Sequence, residues 1–354
     1  MNKATLQKLQ QFKVIVIAWL IIGFFITVYD HLVLLTHHGA RAASYSFGLS
    51  LGTNLGVALT GALIGGYFLV FYINVRYQDR PYGHTIAAVF ISFILIILFI
   101  ATIIGIIAGP VLTGAPLLPT MLQMAPRSLK NLLVWSLVVS TTQLLLQVNS
   151  KFGQRAFLDI IRGKYNTPKS EKRIFMFLDI NSSTTIAEQL GDEAYHNLLK
   201  DFFADITTPI LDNSGEIYQY VGDEVVIAWN YDNGKENTHC LKCFFDIKLY
   251  IQQKKEKYLS RYGLVPSFKA GIHCGQVIAG EVGIIKRDIT YSGDVLNTTS
   301  RILSKCGELN EEVIASSDLL EELYAVTGYI TKPLGVIKLR GKTQEVALNA
   351  LTPA

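Results

Sequence analysis

Two acidic positions set the problem. Asp179 closes the run Arg173–Ile180 (RIFMFLDI), and Asp223 stands between Gly222 and Glu224 inside Ile217–Trp229 (IYQYVGDEVVIAW), interrupting two runs of β-forming residues. Two carboxylates held close together repel unless something cationic lies between them. Oxygen ligands of this kind suit Mg²⁺ or Mn²⁺, and two such ions about 3.5–4 Å apart organise phosphoryl chemistry. The amides of Asn181, Ser182, Ser183 and Thr184, which open a helix just after the first acid, would offer an anion site for a triphosphate. Taken singly, Asp223 reads as a turn residue and Asp179 as a strand terminator. Only as a pair do they point to a metal.

Positioning such a pair requires a sheet. Arg173–Ile180 is apolar, rich in aromatic and branched residues, and reads as a strand. Asn181, Ser182 and Ser183 can cap the helix that follows, and Ala194–Leu211 repeats Leu198, Leu199, Phe202, Ile206 and Ile210 on one helical face. Glu216–Trp229 reads as two strands joined by a tight turn at Gly222-Asp223, residues that such a turn prefers. Lys235–Tyr262 reads as one long helix and Ser267–Cys274 as a further strand. Strand, helix, strand, strand, helix, strand is the order of a ferredoxin-like split βαβ unit, an α+β fold. In that topology the end of the first strand lies beside the turn of the central hairpin, so Asp179 and Asp223 become neighbours.

The chain around this domain is uneven. Half of its 354 residues are hydrophobic and only 17% are charged, which indicates a membrane portion. Residues 1–150 carry eight Lys/Arg and two acids, Asp30 and Asp79, of the 32 basic and 28 acidic residues in the whole chain. Four apolar runs lie there: Val14–Leu35, Leu49–Val75, Ile86–Leu112 and Leu132–Val148. The first three exceed the roughly 20 residues that a membrane-crossing helix needs, and the fourth is marginal. Basic residues before run one, at Arg76 and Arg80, and after run four at Lys151, Arg155, Arg162 and Lys164 put both termini in the cytoplasm. Run one is too long for the core of a cleaved signal peptide. The expected organisation is an all-α four-helix transmembrane domain over 1–148, a helical stalk over 149–170 with Phe157, Leu158 and Ile161 as an apolar stripe, and a catalytic domain over 171–354. This places the chain in the cell inner (plasma) membrane with its catalytic domain cytoplasmic.

Neither membrane acid lies in the middle of a run, so no ion or proton path is indicated. Cytoplasmic placement keeps Cys240, Cys243, Cys274 and Cys306 reduced. Cys240-x-x-Cys243 sits in a helical pattern without the second pair of a zinc site, and His196, His239 and His273 read as packing or surface residues. No nucleic-acid partner is expected.

Two further segments bear on the chemistry. Lys286–Leu303 (KRDITYSGDVLNTTSRIL) runs from a strand through Gly293-Asp294 into a helix with Asn297 and Arg301 at i, i+4 on one face. Val336–Leu348 (VIKLRGKTQEVAL) reads as a late hairpin with Arg340 and Lys342 near each other.

With FLDINSST, YQYVGDEVV, YSGDVLNTTSR and LRGK in this order, Arg173 to Leu351 resembles the class III nucleotidyl cyclases, the adenylyl and guanylyl cyclase family. The resemblance implies metal contacts at Asp179, Ile180 and Asp223, with two Mg²⁺ or Mn²⁺ ions per site. It implies that Asn297 holds the ribose, that Arg301 stabilises charge on the α-phosphate, and that Asn181, Ser182, Ser183, Thr184 and Arg340 meet the phosphates. The reaction implied is attack of the ribose 3′-hydroxyl on the α-phosphate of the same nucleotide, releasing pyrophosphate, at the interface of a homodimer. Family members read the purine through two positions, here Gln219 and Thr290. Thr290 fits an adenylyl subgroup, whereas the Gln219 amide can donate to adenine N1 or accept from guanine N1–H. The reading favours ATP, with guanylate cyclase, or a non-catalytic receptor or scaffold on a cyclase fold, as alternatives. A diguanylate cyclase fits less well, because that family has a second acid where this chain has Asn181 and no counterpart of Asn297 and Arg301.

Overall fold

The computed structural model describes residues 3–38, 46–77, 80–107, 117–152, 159–160, 162–323, 328–338 and 345–354. The chain divides into a unit over Thr5–Leu158 and a unit built on Asp159–Ala354.

The first unit is helical: α1 (Lys3–His38), α2 (Phe47–Gly61), α3 (Tyr82–Ile107) and α4 (Leu117–Phe152). The rod begun by α2 continues past Gly61 through two π-helical stretches, Ala62–Gly66 and Leu69–Ile73, to Asn74–Arg76. Among the described residues, three helical stretches are long and apolar enough to cross a membrane: Thr5–Thr36, Phe47–Ile73 and Leu129–Ser150. The third expected span is shorter in its described apolar part, Tyr82–Ile96, while the run expected to be marginal is among the long ones. Small residues let the first two helices approach closely, since a Cβ at Gly23 would stand 2.9 Å from that of Ala58. Trp19 is buried and donates its indole N–H to Thr142 Oγ1 at 3.0 Å. Asp30 is ion-paired with Lys130, which compensates an acid near a span's end. Asp79 and the stalk residues Phe157, Leu158 and Ile161 lie outside the described residues.

The second unit is a mixed sheet flanked by helices. In chain order it contains β1 (Lys169–Ile180), α5 (Ser183–Leu190), α6 (Asp192–Asp212), β2 (Glu216–Val221), β3 (Glu224–Asn230), α7 (His239–Gln253) and α8 (Lys255–Tyr262). There follow β4 (Phe268–Val282), β5 (Asp288–Ser292), α9 (Asp294–Leu309), β6 (Val313–Ser316), α10 (Ser317–Glu322), β7 (Tyr329–Ile337) and β8 (Val346–Pro353). The strand order is β2-β3-β1-β4-β6-β8-β7, with β5 on β4. Its β2-β3-β1-β4 part is the expected ferredoxin-like core, and β7 and β8 form the late hairpin.

Strand alternation sorts the core into two layers. Ile174, Met176 and Leu178 pack with Leu198, Phe202 and Ile206 of α6 and Phe244 and Ile247 of α7. Phe175 and Phe177 point the other way, toward Val295 and Leu303 of α9. The expected single helix over Lys235–Tyr262 is instead two helices. Asn237 and Thr238 adopt left-handed φ of 49° and 51° before α7, and Lys254, outside helical geometry, separates α7 from α8. Cys240 and Cys243 are both buried on the inner face of α7, and burial pushes the Cys240 thiol up to about 12.

The seat of α9 on β4 depends on two glycines. A Cβ at Gly271 would lie 2.5 Å from the Leu303 backbone nitrogen, and one at Gly275 would lie 2.6 Å from Val295 Cγ2. Gly271→Ala should therefore lower the thermal midpoint of the full chain, by the equivalent of about 1–3 kcal/mol of overpacking strain. Gly307→Ala on the same helix meets nothing within 4 Å and should be neutral or mildly stabilising, by up to about 1 kcal/mol. Thermal denaturation of the two variants checks this, and equal midpoints would show that the helix is not seated as described.

Candidate active site

Sheet register builds the site. β1 and β3 are antiparallel neighbours, and Asp179 pairs directly with Glu224. Val221 pairs with Glu224 across the β2–β3 hairpin, leaving Gly222 and Asp223 as a two-residue loop. Gly222 takes φ +64°, which a side chain would resist and which tight hairpin turns require at their first position. The hairpin therefore sets its turn beside the last residues of β1. The electrostatics of Asp179 record the result: burial pushes its carboxyl above the usual range, and the Asp223 charge adds to this against the pull of Lys269. Burial, then the charges of Asp179 and Asp223, push Glu224 up to about 7.

Lys269 on β4 is the cation of this cluster, with Nζ 2.9 Å from Asp179 Oδ2. It lies opposite Asp179 in the β1–β4 register. The sequence reading missed it, because only long-range strand pairing connects positions 179 and 269. Tyr195 on α6 was missed because only the packing of that helix on the sheet brings it to the acids. Its hydroxyl is pushed up by burial and by the nearby Asp223 charge, and it bonds to Ser183.

The turn after β1 departs from expectation in two respects. Ser182 precedes α5 but its side chain makes no capping bond; instead it adopts a left-handed φ of +55°. The strained backbone turns the chain where a side-chain cap was expected. The Asn181 amide donates to the Ser267 carbonyl at 2.9 Å, and its side-chain amide donates to Ser267 Oγ at 3.3 Å. Asn181 is thus engaged by the strand's neighbour, and an incoming anion would meet the amides from Ser182 to Thr184. Ile180 is buried and pairs with Phe268.

Among the described residues no three His, Cys, Asp or Glu side chains form a metal cage. Two carboxylates beside open amides still fit Mg²⁺, which is held by one or two carboxylates with substrate phosphates completing its shell. Asn297 is exposed and Arg301 half-buried, one turn apart on α9, and neither side chain bonds to Asp179 or Asp223 among the described residues. Arg340 lies outside the described residues. Gln219 is exposed beside a bulge in β2, and the Thr290 hydroxyl makes a long contact to the Gly280 carbonyl at 3.5 Å.

A ferredoxin-like core with two acids at the end of β1 and the β2–β3 turn defines the class. Residues 166–349 match the adenylate and guanylate cyclase catalytic domain, and the chain belongs to that family. It is 37% identical over 223 residues to adenylate cyclase 2 of Rhizobium meliloti (strain 1021), covering 63% of this chain and 61% of that protein. It is 26% identical over 179 residues to the receptor-type guanylate cyclase gcy-6 of Caenorhabditis elegans, covering 47% of this chain and 15% of that protein. The chain thus spans about three fifths of the first of these relatives and far less of the second. The structure of a bacterial light-regulated adenylyl cyclase superposes with a TM-score of 0.53 at 21% identity over 65% of each chain, a likeness of fold.

Juxtaposed acids should cost stability when no divalent ion is present. Asp223→Asn removes the repulsion while keeping the turn's shape, so in a chelator the variant should melt above the parent chain, by about 2–4 °C if the relief is of order 1 kcal/mol. A lower midpoint in the chelator would mean that Asp223 stabilises the site by some other contact.

Proposed function

We propose that this chain is a membrane-anchored adenylate cyclase of the cell inner (plasma) membrane, its catalytic unit cytoplasmic, that converts ATP to 3′,5′-cyclic AMP and pyrophosphate as a homodimer. The observation that carries the reading is the meeting of Asp179 and Asp223 beside the left-handed turn that opens α5.

In this mechanism Asp179 and Asp223, with Ile180 beside them, would hold two Mg²⁺ or Mn²⁺ ions, which would supply charge to favour an ionised 3′-oxygen and to neutralise the triphosphate. Amides from Ser182 to Thr184 orient the phosphates, and Arg340 takes the terminal ones. Lys269 is ion-paired with Asp179 at 2.9 Å and lies within reach of the same corner of the sheet. Asn297 holds the ribose so that the 3′-oxygen, its proton passing to solvent water, attacks phosphorus in line. The bond to the bridging oxygen breaks, and pyrophosphate leaves with the electron pair. Arg301 stabilises the charge that gathers on the α-phosphate. Asn297 on the exposed side of α9, with the half-buried Arg301 one turn on, suits a nucleotide site completed by the acids of a second copy.

Purine choice rests on Gln219 and Thr290. With its proton directed at the Gly280 carbonyl, the Thr290 hydroxyl keeps its lone pairs for a donor. Adenine supplies a donor there through its exocyclic amine, whereas guanine supplies an acceptor. This favours ATP over GTP.

The test is to give the detergent-purified chain ATP or GTP with Mg²⁺ or Mn²⁺ and to follow cyclic product and pyrophosphate. Cyclic AMP should form with ATP preferred, and Asp223→Ala should lower turnover by at least about a hundredfold with the dimer intact. Gln219→Glu combined with Thr290→Cys should move the preference toward GTP. Cyclic GMP as the main product of the parent chain would make it a guanylate cyclase. Absence of any cyclic nucleotide would make it a binding scaffold.

A further inference from the structure

Arg173 is an arginine where a strand interior asks for an apolar residue. It lies on β1 between Lys172 and Ile174, on the same face as Phe175 and Phe177, and is only 2% exposed. A buried guanidinium persists only if charge and hydrogen bonds compensate it. Four sources do so among the described residues, one of them the Glu216 carboxylate 3.9 Å from the other terminal nitrogen. Nε and one terminal nitrogen both donate to Glu171 Oε2, at 3.0 and 2.7 Å. The same terminal nitrogen donates to the Tyr165 hydroxyl at 3.2 Å. The guanidinium carbon lies 5.0 Å from the ring centre of Tyr291, a cation–π contact strengthened by desolvation.

These partners come from different places. Tyr165 belongs to the segment through which the chain enters the catalytic unit and is 3% exposed. Its carbonyl accepts from the Glu281 amide at 3.1 Å, which pins that segment to the far end of β4. Tyr291 belongs to β5 and precedes no catalytic acid, but it is the chain neighbour of Thr290. Its ring contacts that of Tyr218 at 4.9 Å, and its amide donates to the Tyr218 hydroxyl at 3.2 Å. Tyr218 is the bulged residue of β2, immediately before Gln219. Three strands separate β2 from β5 in the sheet order, so this contact requires the sheet to curl until its two edges meet over Phe175.

We propose that Arg173 is a positioning residue, which joins the entry segment at Tyr165 to the Tyr291–Tyr218 contact and so fixes the spacing of the purine-reading pair, Thr290 and Gln219. The proposal rests on the assignment of that pair in the preceding section. Movement of the entry segment would shift Tyr165, loosen the guanidinium on the Tyr291 ring, and alter purine affinity without touching the acid pair. An entry signal and nucleotide choice would then share one set of contacts, and by linkage nucleotide binding would stiffen the entry segment.

The experiment measures binding, so it does not need turnover. Full-length protein in detergent is titrated with 3′-deoxy-ATP and 3′-deoxy-GTP, which lack the attacking hydroxyl, in the presence of Mn²⁺. Arg173→Met keeps the stem's volume and leaves Glu171 with Lys164, 3.4 Å away. It should weaken 3′-deoxy-ATP by about five- to tenfold and bring the two dissociation constants close to one another. Tyr165→Phe, remote from the nucleotide, should shift both constants in the same direction by a smaller factor, and its effect should vanish in the Arg173→Met background. Arg173→Lys, which retains a cation over the ring, should restore part of the preference. A lowered melting point with unchanged dissociation constants and unchanged purine preference would make Arg173 purely structural and overturn the inference. A parent chain that binds both analogues but forms no cyclic product would refute the proposed activity while the binding results still decide this one. A parent chain that binds neither analogue would refute both.

Discussion

Like-charge repulsion between Asp179 and Asp223 is the constraint around which the catalytic unit is organised. Neither acid can leave the other, because one ends a strand and the other occupies the turn of a hairpin whose second strand pairs with the first. Burial raises the Asp179 carboxyl, with the Asp223 charge adding to it, and burial with the charges of both acids pushes Glu224 up to about 7. Lys269 relieves the repulsion in part. A strand pairing that forces acids together, with one lysine against them, is arranged for further positive charge. The left-handed turn at Ser182 complements this by opening a helix toward the same corner.

The second structural dependence is the close seat of α9. Gly271 and Gly275 remove side chains from β4 where the helix backbone approaches, so Val295, Thr299 and Leu303 turn inward. Helical periodicity then leaves Asn297 facing outward, with Arg301 one turn on. The same glycines that allow close packing therefore decide which residues of the helix face away from the sheet. The proposed function draws on this division of labour: acids at a strand end and a hairpin turn, polar groups on a helix face.

Much of this was legible in the sequence, and the pattern of what was not is physical. The run ending in Asp179, the Gly-Asp hairpin and the order of strands could be read because each depends on local alternation and turn chemistry. The ferredoxin-like core followed from their order. Lys269 and the Arg173–Tyr291 contact could not be read, because strand register and sheet curl join positions about a hundred residues apart, and Tyr195 could not because only helix packing brings it to the acids. Two local expectations are also not met. A continuous helical pattern over Lys235–Tyr262 concealed left-handed residues at Asn237 and Thr238 and the break at Lys254, all compatible with helix-forming neighbours. Ser182 has the residue type of a side-chain cap, yet the backbone strain needed to turn out of β1 took its place. In the helical unit, the apolar run with the fewest residues proved to lie in one of the long apolar stretches, since flanking polar positions continue the helix.

The most direct measurement counts Mn²⁺ ions bound to the full-length chain with 3′-deoxy-ATP present, by electron paramagnetic resonance of the free ion. Two ions per site are expected for the parent protein, with binding abolished or strongly weakened in Asp179→Asn and Asp223→Asn alike. Identical Mn²⁺ stoichiometry and affinity in all three proteins would contradict the claim that the sheet brings these acids together to hold divalent cations.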